Sequence, residues 1–269
     1  MSVDPSDDIR TAISGVQWYH TLELAPGVVT SGWFDLRSLA PKLPFPSLTG
    51  ARCLDVGTFD GFWAFEMERR GASEVVAVDL LDPRQWDWPF GADDAIVDAI
   101  GQRKRAGGGF ELAAKCLDSK VERHDMSVYD VSPERLGEFD FVYVGSLLLH
   151  LRDPVRALEQ VRSVCRGSLL LVDAIDLTLT LRHPRRAVAS LDARGRPWWW
   201  KPNQATLVRM VEAAGFTLTA LPQRVLMPPG GGQNRSRPHL RQLRHRAARE
   251  GLFHAWRGDP HVAISAKRR

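Results

Sequence analysis

Residues 52–62 read Arg-Cys-Leu-Asp-Val-Gly-Thr-Phe-Asp-Gly-Phe, an apolar run that passes directly into Gly57 and Gly61, four residues apart. A second apolar run, Val75–Val78, ends in Asp79, eighteen residues after Gly61. This pairing constrains the fold more than any other feature. A strand that turns on a glycine and opens a helix brings bare backbone against a ligand. An acid at the end of the next strand accepts hydrogen bonds from a ribose diol. The spacing also excludes two ligand classes. Phe59 stands where a dinucleotide fingerprint has its middle glycine, the residue that lets a pyrophosphate touch backbone. No Lys-Ser/Thr follows the loop, so it is not a nucleotide P-loop. Asp55 and Asp60 repel phosphate and suit a cationic, amine-bearing ligand.

After this loop the chain alternates strand and helix, the pattern of a parallel sheet covered on both faces. Strands are expected at 51–56, 75–79, 119–124, 139–144 and 168–173, with helices at 61–70, within 91–116, and at 153–165. Asp153 is the expected N-cap of that last helix, with Pro154 in its first turn. A helix over 203–214, a strand over 216–226 and a final strand over 260–265 complete a seven-stranded, mostly parallel α/β sheet of Rossmann-like type. Residues 1–50 form an N-terminal extension with a short helix near 9–20, expected to act as a lid. Residues 51–269 form the main domain, with an excursion at about 176–202 and a basic segment at 235–250.

Length, 269 residues, fits one such domain with additions. Hydrophobic content of 44% and charged content of 25% are those of a soluble globular chain, and no apolar stretch is long enough to span a membrane. The polar, acidic start is unlike a secretory signal. Cys53, Cys116 and Cys165 have neither metal-ligand nor disulfide spacing. A cytoplasmic protein, monomeric or homodimeric, without a metal is expected. The net charge of +4 is concentrated in six arginines between 235 and 249. Few aromatics are interleaved there for base stacking, so nucleic acid is disfavoured as a partner.

The form Asp55-Val56-Gly57-Thr58-Phe59-Asp60-Gly61 resembles the first motif of class I S-adenosylmethionine methyltransferases. The resemblance implies that this loop holds the methionine part of the cofactor and that Asp79, with Leu80, holds the ribose. Two further positions belong at the same strand ends. Asp125 and Met126 follow strand three, the acid for the adenine amino group and the thioether for the ring face. Gly145 and Ser146 follow strand four, where backbone approaches the sulfonium. Leu148-Leu149-His150-Leu151-Arg152-Asp153-Pro154 is similar to a stretch found after strand four in that family. His150 is the candidate base, or a residue that fixes its loop through a backbone carbonyl.

The flanks resemble a narrower branch, the tRNA wobble-uridine methyltransferase-like proteins. The residues concerned are Trp18-Tyr19-His20 through Trp33-Phe34-Asp35, and Trp200-Lys201-Pro202-Asn203. Members acting on tRNA transfer a carboxymethyl group from carboxy-S-adenosylmethionine. Their carboxylate-binding lysine lies near where this chain has Gln17-Trp18-Tyr19, and their tyrosine before the histidine is here Leu149. These departures favour plain S-adenosylmethionine, with S-adenosylhomocysteine as product. Trp18, Tyr19, His20, Trp33, Leu149, Trp199 and Trp200 are then expected to wall a pocket for a planar or hydrophobic small molecule, in natural-product biosynthesis. The competing readings are a tRNA-modifying enzyme and a non-catalytic partner protein of the same fold.

Overall fold

The computed structural model describes residues 5–194, 197–233 and 257–269. The basic cluster at 235–249 and the helix expected there lie outside the described residues.

The main sheet is built from β1 (Arg52–Val56), β2 (Glu74–Asp79), β3 (Glu122–Asp125), β4 (Phe139–Gly145), β5 (Cys165–Ala174), β6 (Phe216–Leu218), β7 (Gln223–Met227) and β8 (Asp259–Arg268). Its order is β6-β8-β5-β4-β1-β2-β3, with β7 also pairing β8. Strands β1 to β5 run parallel, and β8 lies antiparallel to β5. The switch in strand order falls between β1 and β4, where ligands bind in open sheets of this kind.

The helices are α1 (Pro5–Ser14), α2 (Phe62–Arg69), α3 (Asp94–Gly107), α4 (Gly109–Cys116), α5 (Pro133–Leu136), α6 (Pro154–Val164), α7 (Leu177–Arg182) and α8 (Gln204–Ala213). The expected caps are in place. The Asp153 side chain accepts from Arg156 N–H at the start of α6, with Pro154 in the first turn.

Three boundaries differ from the sequence expectation. The expected strand 216–226 is two strands, because Pro222 has no N–H to continue a ladder; β6 and β7 pair successive stretches of the same edge of β8. The first helix stops at Ser14, where Trp18 folds back and its indole N–H donates to Ile13 O at 3.1 Å. Strand β3 begins at Glu122 and includes Asp125, which pairs in register with Asp79.

Alternation along the strands divides the core into two layers. Leu54, Val56, Val76, Val78, Val142, Val144, Leu169 and Leu171 face one cluster with α6 and α8. Cys53, Val75, Ala77, Phe141, Tyr143, Leu170 and Val172 face the other. That second layer contains Trp18, Leu22, Leu24, Phe34 and Leu36 of the N-terminal segment, all buried. The segment is therefore part of the core. It also reaches the far end of the chain, since Phe34 bridges to Pro229 and Gly230 N–H donates to Trp33 O at 2.6 Å.

Candidate functional site

The glycine loop has the conformation its sequence demands. Gly57 and Gly61 have φ of 84° and 91°, and Phe59 also sits in the left-handed region at 53°. Two bonds fasten the loop to the end of β2: Gly57 N–H donates to Val78 O, and Phe59 N–H donates to Asp79 Oδ2, both at 2.8 Å. At Gly61 a side chain is excluded, since a Cβ would lie 2.4 Å from the Phe65 ring and 2.9 Å from Phe110. Gly61 is thus fixed by helix packing.

The two acids of the loop are not on the open face. Asp55 is 1% exposed, and burial pushes its carboxyl up to about 7. Its Oδ2 and the Thr58 hydroxyl are sealed without partners. Asp60 is a clasp for the N-terminal segment. Its Oδ2 accepts from the N–H groups of Tyr19 and His20, each at 2.8 Å, and its Oδ1 meets His20 Nδ1. Thr30 secures the same turn, accepting from Leu22 N–H and donating to His20 O.

After β4, Ser146 takes φ of 49°, and its hydroxyl lies 3.0 Å from His261 Nε2. The following turn is held from beneath by Asp173, fully buried, whose Oδ2 accepts from Leu147 and Leu148 N–H at 2.9 and 2.7 Å. Burial raises the Asp173 carboxyl to about 6 and those amides hold it down. Sequence reasoning missed Asp173, although a signal existed: its apolar strand ends in an acid, as β1 and β2 do. Asp87 was missed as well. It accepts from the Tyr129 hydroxyl and from Arg152 N–H, both at 2.7 Å, and its carbonyl takes the Trp199 indole N–H at 2.6 Å. No spacing rule marks such a loop acid.

The excursion is tied to the β4 turn. His150 Nδ1 meets the Pro197 carbonyl, and Trp199 N–H donates to Leu149 O at 2.8 Å. Its root is Asn203, fully buried, whose amide donates to His183 O and Arg186 O while its Oδ1 caps α8 at Thr206.

These elements enclose a cavity of about 1770 Å³ over the strand ends. Of the residues expected at a cofactor site, Gly57, Phe59, Asp79, Leu80, Met126, Gly145 and Ser146 line it. Asp55, Thr58, Asp60, Gly61 and Asp125 do not. Asp125 instead accepts from Leu81 N–H at 2.9 Å and so shapes the loop after β2. Of the residues expected against an acceptor, Trp18, Tyr19, His20, Trp33, Leu149 and Trp200 line the cavity, as does His150. Trp199 does not; it buttresses the wall from behind, where Trp198 faces the cavity in its stead. The charged lining is mostly acidic (Asp79, Asp87, Asp176, Asp259), and Lys201, the one lysine or arginine on it among the described residues, lies 3.5 Å from Asp192. No group of residues suited to a metal ion occurs among the described residues, and no helix there is long and apolar enough to cross a membrane.

An open parallel sheet with one reversed strand, a glycine loop after β1 and an acid ending β2 define a class, the S-adenosylmethionine-dependent methyltransferases. Residues 32–221 match a family model described as a methyltransferase domain, and the chain belongs to that family. Among curated relatives, a tRNA U34 carboxymethyltransferase of Ectopseudomonas mendocina is 25% identical over 77% of this chain and 58% of its own length. One from Dichelobacter nodosus is 28% identical over 64% of this chain and 47% of its own. The chain thus spans about half the length of these relatives. Among solved structures, the N-terminal domain of EvdMO1 with S-adenosylhomocysteine bound has a TM-score of 0.53 at 15% identity, over 99% of this chain and 98% of its own. Burkholderia thailandensis 1,6-didemethyltoxoflavin-N1-methyltransferase also scores 0.53 at 15% identity, over 87% and 77%.

Proposed function

We propose that this methyltransferase transfers a methyl group from S-adenosylmethionine to a small planar or hydrophobic acceptor of specialised metabolism. The observation that carries this reading is the shared wall of the cavity. Tyr19 and Trp33 of the N-terminal segment and Trp198 and Trp200 of the excursion line the same space as Asp79 and the glycine loop. Aromatic walls suit a flat apolar ligand.

The residues present fit the cofactor. Asp79 would hold the ribose, Gly57 and Phe59 would offer backbone to the methionine part, and Met126, 9% exposed, would pack on the adenine. Bound S-adenosylmethionine supplies an electrophilic methyl group on a sulfonium. An acid-rich lining favours such a cation. The protein's part is alignment and exclusion of water: Asp173 fixes the turn after β4, while Asp60 and His150 hold the two covering segments. The N-terminal extension and the excursion at 176–202 then act as substrate-covering elements on the 51–269 domain.

Support for a small acceptor comes also from the toxoflavin-precursor enzyme among proteins of this fold. The names of the curated relatives favour a second reading, modification of tRNA uridine. Turnover of planar phenols and N-heterocycles, read as S-adenosylhomocysteine release, tests the first. Salt-sensitive transfer to tRNA with none to the small molecules would replace it by the second.

A further inference from the structure

Three histidines line the cavity, His20, His150 and His261, and their partners differ. His150 Nδ1 meets the carbonyl of Pro197, which anchors the excursion. His261 has both nitrogens engaged, Nε2 by the Ser146 hydroxyl and Nδ1 by Asp259 O, each at 3.0 Å. His20 Nδ1 meets the carboxylate of Asp60. That carboxylate is itself fixed by two backbone N–H groups, so the imidazole is locked against it. Its Nε2 has no partner among the described residues. Nor is it one of the sealed polar atoms without a partner, which are Thr21 Oγ1, Asp55 Oδ2, Thr58 Oγ1 and Ser265 Oγ. Nε2 is therefore an unsealed ring nitrogen in a residue that lines the cavity. The ring packs edge-on against Tyr19, at 4.8 Å between centroids, and tilted against Phe62 at 5.6 Å.

We propose that His20, held by Asp60, is the general base that takes the acceptor's proton during methyl transfer, and that His150 is a positioning residue for the excursion. The carboxylate sets the tautomer, with the proton on Nδ1 and the basic lone pair on Nε2, and it stabilises the imidazolium that forms. The balance is complete without another reactant. The acceptor's oxygen or nitrogen bonds the methyl carbon, the carbon–sulfur bond breaks with its pair retained by sulfur, and the acceptor's proton passes to Nε2 and then to solvent. The ionisable groups around this imidazole are Asp60 at the start of α2, Asp55 at the end of β1 and Tyr19 beside it, with Asp173 and Asp259 next to Tyr19. The inference rests on the proposed transfer to an acceptor that carries a proton.

The first test needs no acceptor. Full-length protein labelled with ¹⁵N-histidine is titrated by NMR across roughly pH 5 to 9, with His20→Gln assigning the signals. The expected result is an Nδ1–H tautomer with a strongly downfield proton, lost in Asp60→Asn, and an Nε2 that titrates. An Nε2–H tautomer, or a ring that does not titrate, overturns the proposal. The second test uses any phenol or N-heterocycle that is turned over. His20→Gln is expected to lower kcat by about 100-fold or more and to remove the acidic limb of the pH profile, and an unchanged kcat and profile overturns the proposal. Calorimetry with S-adenosylhomocysteine separates the two readings. Wild type and His20→Gln are expected to bind it alike; failure of both to bind contradicts the donor assignment, while the tautomer still decides the dyad.

Discussion

At the scale of single residues, the acids that end the strands have divided their labour. Asp79 lines the cavity, Asp55 is buried, Asp125 shapes a loop and Asp173 holds a turn. The sequence pattern marks Asp55, Asp79 and Asp173 alike, each within or at the end of an apolar run, whereas Asp125 follows the polar stretch Glu122-Arg123-His124. Which one faces a ligand depends on strand order and on the backbone donors nearby, which no local spacing encodes. Asp79→Ala is expected to weaken S-adenosylmethionine by roughly 1–3 kcal/mol in calorimetry, while Asp125→Ala, one step removed, costs less. Asp55 adds a pH dependence. Its folded carboxyl is raised from 3.8 to about 7, so the unfolded chain releases this proton first. The stability is present below pH 4 and is lost as pH rises towards 7, by about 4 kcal/mol at most at 1.36 kcal/mol per unit. Urea melts at pH 5 and pH 8 check this: Asp55→Asn flattens the difference, and an unchanged slope would refute it.

At the scale of elements, the strand and helix order was readable because apolar periodicity, Pro154 and Asp153 act locally. The N-terminal segment and the excursion at 176–202 were readable only in part. Their tryptophans signalled burial, yet the chain gave no sign that Asp60 would clasp residues 19 and 20. A contact between positions forty residues apart leaves no periodic trace. Asp60→Ala leaves two backbone donors and a buried imidazole unpaired, and is expected to cost about 2–4 kcal/mol. Limited proteolysis should then cut near residues 16–35, and an intact segment in a destabilised variant would contradict the clasp. His150→Ala, by the same logic, is expected to expose the excursion between 183 and 200 to protease, since it removes the contact between the imidazole and the Pro197 carbonyl.

For the whole molecule, fold and cofactor class were legible from a single loop and the acid after the next strand, whereas the proposed acceptor site draws on two distant segments that line one cavity. The acidic lining carries a consequence for the donor. A donor with an additional carboxylate would enter a wall with four aspartates and one lysine already beside Asp192, so carboxy-S-adenosylmethionine is expected to bind more weakly than S-adenosylmethionine. The most direct measurement of the central claim is parallel calorimetric titration of the purified protein with both donors, wild type beside Asp79→Ala. The expected result is one-to-one binding of S-adenosylmethionine, a clear preference for it over the carboxylated form, and a loss of affinity in the variant. No binding of S-adenosylmethionine, or a preference for the carboxylated donor, would contradict it.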